Sequence, residues 1–110
     1  MATDFSMYSG DSKTLEITIT DSDGVAVDLT GATVKYAIAL SSTASAALVS
    51  KATGGSGITT ASNVATVTLA SADTATLAGV YYHEMEITTV LGAVTTAMTG
   101  TITILADVIQ

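Results

Sequence analysis

The sequence predicts an all-β protein built as an antiparallel sandwich of about seven strands. Proline is absent, and threonine and valine recur in short runs that glycine, serine and aspartate interrupt, which is typical of strands joined by turns. Turn-forming residues return roughly every ten residues, the spacing expected of a sandwich. No long stretch repeats its apolar residues with the period of a helix, so an α/β fold is not expected.

Alternation of apolar and polar residues identifies the strands. It is clearest at 14–21, where Leu15, Ile17 and Ile19 share one face and predict a half-buried strand. After a break near Gly31, the next strand places Val34, Tyr36, Ile38 and Leu40 on one face. Further strands are predicted at 48–53, 64–70, 80–90 and 93–105.

A single helical turn is predicted within 71–79, before the penultimate strand. Ser71 is the predicted N-cap, Asp73 lies in the first turn and Gly79 ends it. About seven strands with one helical turn at this position match an immunoglobulin-like β-sandwich.

The last two strands are predicted to form a hairpin. Leu91 and Gly92 form its expected two-residue connector. Gly100, inside the last strand, predicts a bulge or bend.

The segment LAGVY at 77–81 predicts the point where the chain crosses between the sheets. In immunoglobulin-like sandwiches a tyrosine near the start of a central strand bonds back to the upstream backbone. Leu77 is expected to point inward, Gly79 to make the tight bend and Tyr81 to be the corner residue.

His83 is the only histidine and lies on the inward face of its predicted strand. We interpret it as a core residue whose ring nitrogens are met by backbone or hydroxyl groups. As a catalytic base it would need a nucleophile and an orienting acid, and no serine lies in a G-x-S-x-G elbow. One histidine without cysteine does not provide a zinc site. We therefore predict no catalytic, cofactor-binding or metal-binding residue, and no enzyme.

Two groups of carboxylates are candidate sites. DSDGVAVD at 21–28 suggests calcium, but a calcium loop starting at Asp21 would have Ala32 where it needs a bidentate glutamate. A turn is the favoured interpretation. Glu84 and Glu86, two apart on one strand, are interpreted as a solvated or interface face.

Charge and composition exclude several partners. The net charge is −7 and the three basic residues are all lysines, which argues against nucleic acid. No apolar run is long enough to span a bilayer, so no membrane partner is expected. The first residues lack the features of a secretory signal, which predicts synthesis in a cytoplasm.

Residues 1–12 are predicted to be an N-terminal arm and residues 13–110 the immunoglobulin-like sandwich domain. Phe5, Met7 and Tyr8 are apolar anchors through which the arm would dock on a neighbouring subunit. The alternative is that residues 4–8 add an edge strand to their own sheet.

The order of several segments resembles the small immunoglobulin-like modules of tailed bacteriophages. The resemblance is closest to the N-terminal module of baseplate upper proteins and extends to head decoration proteins. It runs over nearly the whole chain from residue 10. The segments are Gly10-Asp11, DLTGATV (28–34), ADTATLAGVYY (72–82) and GTITI (100–104).

This resemblance implies a non-enzymatic virion structural protein, assembled in the host cytoplasm. The leading hypothesis is a capsid decoration or cement protein that binds the outer face of the major capsid shell, as a homo-oligomer on the particle. A tail or baseplate adaptor is the alternative. A glycan- or cell-surface-binding module is a further alternative, for which Tyr82 and Tyr8 are the available aromatics. The expected partner-binding residues are Phe5, Met7, Tyr8 and Tyr82.

Overall fold

The predicted β-sandwich is confirmed. A computed structural model describes residues 4–20, 23–43, 46–53 and 57–106. Eight strands and one short helix occupy these ranges, and the strands form two sheets. The strands are β1 (Phe5–Tyr8), β2 (Lys13–Thr18), β3 (Thr33–Ala39), β4 (Val49–Ala52), β5 (Ile58–Ala61), β6 (Val64–Leu69), β7 (Gly79–Thr88) and β8 (Val94–Leu105). The helix α1 (Ser71–Thr74) lies between β6 and β7, as predicted.

The two sheets differ in size. The larger has five strands in the order β1-β8-β7-β3-β4, and the smaller has three in the order β2-β6-β5. Neighbouring strands are antiparallel except β1, which runs parallel to β8.

The apolar face of each strand is buried because the sheets pack against one another through it. In the smaller sheet Leu15 pairs with Val67 and Ile17 with Ala65. Leu40, which was predicted to share the buried face of β3, is 69% exposed because it lies beyond the end of that strand. The buried apolar residues are Met7, Leu15, Ile17, Ile19, Leu29, Val34, Tyr36, Ile38, Val49, Ile58, Ala65, Val67, Leu69, Met85, Ile87, Met98, Ile102 and Ile104.

Strand β1, which lies within the stretch predicted as an N-terminal arm (1–12), is part of the larger sheet. Strand β1 pairs with β8 from Phe5–Ile102 to Tyr8–Leu105. The pairing continues where the Ser9 N–H donates to the Leu105 carbonyl at 2.8 Å. Residues 4–8 thus add an edge strand to their own sheet, which was the alternative interpretation of this segment.

The N-cap of the helix lies one residue earlier than predicted. Ala70 is the N-cap and Ser71 is already helical. The Ala70 N–H donates to the Asp73 carboxylate at 2.7 Å, so the side chain that stabilises this helix end comes from the third helical position. The helix ends at Thr74, well before Gly79.

Five residues, Thr89 to Ala93, connect β7 to β8. The outer two are hydrogen-bonded to each other, which leaves a three-residue loop, Val90 to Gly92, where two residues were predicted. Its two ends meet where the Thr89 N–H donates to the Ala93 carbonyl at 2.8 Å. Gly92 has a φ of 92°, which suits the last position of such a loop. The bulge predicted at Gly100 lies instead at Ala97, since Met98 pairs with Met85 and Thr96 with Glu86.

Candidate functional site

His83 lies in the core, with no exposed surface. It sits on β7 between two strands of the larger sheet, opposite Ile38 of β3 and Gly100 of β8. The Tyr36 hydroxyl and His83 Nδ1 share a hydrogen bond of 2.9 Å. Burial raises the pKa of the Tyr36 hydroxyl, so Tyr36 stays a neutral partner across the physiological pH range.

Aromatic rings surround this imidazole. The Tyr36 ring centroid is 5.6 Å from that of His83 with the planes 86° apart, and the Phe5 centroid is 5.4 Å away at 64°. Both are edge-to-face arrangements. Phe5 is on β1 and reaches His83 across β8, where Gly100 opposite His83 has no side chain to block the approach. The arrangement packs His83 into the interior and leaves it no contact with solvent.

The three residues predicted to form the corner lie together at the entry to β7. Leu77 packs against the core, and Gly79 has a φ of 128°, a conformation that disfavours a side chain. The Tyr81 hydroxyl donates to the Ala78 carbonyl and accepts from the Ala78 N–H, both at 3.0 Å. Tyr81 therefore ties the start of β7 to the residue just before it.

The outer face of the larger sheet carries the charged side chains of β3 and β7. Glu86 pairs in register with Lys35, and Glu84 with Ala37. The Tyr82 hydroxyl donates to Glu84 Oε2 at 3.0 Å. Partial burial raises the pKa of Tyr82, and the hydrogen bond and charge of Glu84 raise it further.

A groove of about 510 Å³ runs along this face between β7 and β4. Its floor is low because Ala37, Ser50 and Ala52 are small, and its sides are formed by Glu84, Glu86 and the lysines. Lys35 lies in register with Glu86, and Lys51 is paired with Asp73. The carboxylates and Lys35 together suit a polar ligand that has hydroxyl groups. The sequence did not predict it, since it depends on the register of three strands.

The four residues predicted to bind a partner do not form one surface. Met7 is 7% exposed and Phe5 is half-buried against the core, so both stabilise their own chain and are not docking anchors. Tyr8 is 53% exposed and Tyr82 is half-buried. Both of these tyrosines lie on the outer face of the larger sheet, with β8 between their strands.

The described aspartates of the candidate calcium segment, Asp23 and Asp28, belong to no group that could hold a metal ion. Asp21 lies outside the described residues, and Asp23 and Asp28 are exposed. Asp28 accepts hydrogen bonds from the N–H and hydroxyl of Thr30 at 3.0 and 2.7 Å, and these bonds hold its pKa below the ordinary value. In the described ranges, no three His, Cys, Asp or Glu side chains form a group that could hold a metal ion.

Thr74 is a structural residue that sequence reasoning missed. It is fully buried; its hydroxyl accepts from the Gly10 N–H at 3.0 Å, and its carbonyl accepts from the Ser9 hydroxyl at 2.9 Å. These bonds fasten the end of β1 to α1. Strand periodicity gives no signal for such a residue, because it lies outside the strands.

Comparisons with known proteins identify no relative: no family model, no curated protein and no solved structure matches the chain. None of the described helices is long and apolar enough to cross a membrane.

Proposed function

We propose that this chain is a non-enzymatic structural protein of a bacteriophage virion, and specifically a capsid decoration protein on the outer face of the major capsid shell. The strand order is the observation that best supports this proposal. A five-stranded sheet β1-β8-β7-β3-β4 packed on β2-β6-β5 is the arrangement expected of an immunoglobulin-like sandwich. That is the fold implied by the resemblance of the sequence to phage modules.

The environment of His83 supports a non-enzymatic role. An imidazole acts as a general base only where it reaches the proton it removes. His83 has no exposed surface and shares its Nδ1 with Tyr36. Its chemistry is thus used for packing.

The partners we propose are the major capsid protein and neighbouring copies of this chain on the particle. The particle would be assembled in the host cytoplasm. Nucleic acid and membranes are not proposed partners, because a net charge of −7 repels both phosphate backbones and anionic lipids.

Cryo-EM of purified particles tests this proposal. Peptide mass spectrometry first establishes whether the chain is in the particle. We expect density of about the molecular dimensions, 45 × 24 × 24 Å, at local three-fold or quasi-six-fold positions of the capsid. Density at the tail tip would favour the tail or baseplate adaptor. Particles free of the chain would contradict both assignments.

A glycan-binding module is the second candidate, and the groove on the larger sheet favours it. Glu84, Glu86 and Lys35 offer acceptors and a donor for sugar hydroxyls, and the Tyr82 ring stands beside them on β7. A glycan array probed with the wild-type chain and with Tyr82→Ala tests this candidate. Binding that the substitution abolishes would favour it, and an array without signal would contradict it.

A further inference from the structure

Three large apolar side chains are exposed at the β7–β8 hairpin. Leu91 is 94% exposed, Val90 75% and Val94 59%. We call Val90, Leu91 and Val94 the apolar tip. Single exposed apolar residues are common, but a cluster of them marks interaction sites.

The residues at this turn break the local sequence rule. Gly92 donates its N–H to the Thr89 carbonyl at 2.9 Å, so Val90 and Leu91 occupy the two central positions of a tight turn. Those positions favour Asn, Asp, Gly, Ser or Pro. Val90 and Leu91 are neither typical turn residues nor buried, so neither turn formation nor core packing accounts for them.

Hydrogen bonds and one packing contact brace the apolar tip. The Ala93 N–H donates to Thr89 Oγ1 at 3.1 Å, in addition to the bonds that close the turn. Gly31, in the β2–β3 connection, lies against Val90, because a Cβ at Gly31 would be 3.5 Å from Val90 Cγ2. A tip braced in this way loses less conformational entropy on docking than a loop without such contacts.

The charged residues of the connection that contacts the apolar tip indicate which kind of partner surface the tip would bind. The β2–β3 connection that contacts the tip carries the exposed residues Asp23 and Asp28. The three lysines of the chain, Lys13, Lys35 and Lys51, lie in β2, β3 and β4, so neither connection contributes a cation. A second copy presenting the same tip would be repelled, whereas a basic rim would be attracted.

We propose that the apolar tip docks into an apolar socket edged by lysine or arginine on the capsid shell. This inference rests on the proposed function and names the surface that would bind the capsid. Val90 and Leu91 enter the socket, and Asp23 and Asp28 face its basic rim. The apolar contacts set the dissociation rate, and the aspartates accelerate encounter at low salt.

The test uses capsids purified from a phage deleted for this gene, to which labelled full-length protein is added back. The tip variant is V90T/L91T. The matched control is V80T/L105T, which also changes one valine and one leucine, 65% and 41% exposed, outside the hairpin turn. We expect the tip variant to bind at least tenfold more weakly and the control to bind like the wild type. D23N/D28N should reduce the association rate severalfold at low salt and little at high salt.

Each other outcome counts against a specific claim. Equal binding by the wild type and the tip variant would overturn the docking inference and leave the decoration function standing. Equal loss in the tip variant and the control would also overturn it, because the effect would not be specific to the tip. Concentration-dependent dimers that V90T/L91T abolishes in sedimentation equilibrium would assign the tip to a second copy instead. Wild-type protein that binds no capsid would contradict the proposed function itself.

Discussion

The Tyr36 hydroxyl lies 2.9 Å from His83 Nδ1, and both side chains are buried in the core. Each residue is the other's polar partner, and both are almost without solvent contact. Within the described residues, every buried side-chain nitrogen and oxygen has a hydrogen-bond partner. The pair therefore satisfies polar atoms that would be costly to leave alone in the interior.

Tyr36→Phe should destabilise the protein by about 1–3 kcal/mol, because it removes the hydrogen-bond partner of a buried imidazole nitrogen. Urea unfolding at neutral pH, followed by circular dichroism, measures this cost. In the double variant Y36F/H83L the effect of Y36F should shrink, since the atom it leaves unpaired is gone. Additive effects of the two substitutions would contradict the coupling.

The sequence predicts those strands whose position depends on local alternation of apolar residues, and it does not predict those whose position depends on long-range pairing. Burial of one face imposes a period of two, so the inward residues of β2 and β6, such as Ile17 and Val67, were readable from the sequence. The sequence allows two interpretations of strand β1, a docking arm or an edge strand. Its four residues pair with a strand nearly a whole chain length away. That pairing is between residues far apart in the sequence, so no local pattern encodes it.

The candidate surfaces could also be predicted only in part. Local alternation places some of their residues, and the register of distant strands places the others. The inward position of His83 follows from alternation along β7, but its contact with Phe5 depends on β1 lying beside β8. The groove over Ala37 depends on how β3, β4 and β7 are aligned. Register between distant strands is a property of the folded state and has no local sequence signal.

Met7→Ala should cost about 2–4 kcal/mol, because Met7 is a buried core residue on β1 and its truncation leaves a cavity. Tyr8→Ala, at the next and exposed position, is the matched control and should change stability by less than about 0.5 kcal/mol. Thermal unfolding of the two variants gives the comparison. Similar melting temperatures for M7A and the wild type would mean that β1 does not belong to the cooperative core, and would restore the docking role of this segment.

Tyr81→Phe should cost about 1 kcal/mol through the loss of the two hydrogen bonds that its hydroxyl makes with Ala78. The cost is moderate because water can reach the Ala78 groups once the hydroxyl is removed. Tyr82→Phe is the control, since its hydroxyl bonds only to the Glu84 side chain among the described residues. Chemical unfolding that ranks the two variants equally would contradict a structural role for the corner.

The last prediction concerns the ion pair between Lys51 and Asp73, whose Nζ and Oδ2 atoms are 2.8 Å apart. Burial raises the pKa of Asp73, but the hydrogen bonds from Lys51 and the Ala70 N–H and the lysine charge together outweigh it. The pKa therefore lies below its ordinary value of 3.8. The folded state holds this carboxylate ionised at a pH where the unfolded chain already takes up the proton. The stabilisation is thus present above pH 3.8 and is lost as the pH falls below it.

Asp73→Asn should consequently cost about 0.5–1 kcal/mol at pH 7, a small value because both side chains keep some contact with water. Urea unfolding at several pH values should show the difference between wild type and D73N shrinking below pH 3.8, where the wild type loses the same interaction. Lys51→Met removes the other partner of the ion pair. The loss of unfolding free energy in K51M/D73N should be smaller than the sum of the losses in the two single variants. Equal stability of wild type and D73N at every pH would show that Asp73 stabilises α1 through its hydrogen bond to Ala70, which asparagine retains, and a non-zero difference that stays constant down to pH 2 would contradict a role for its charge.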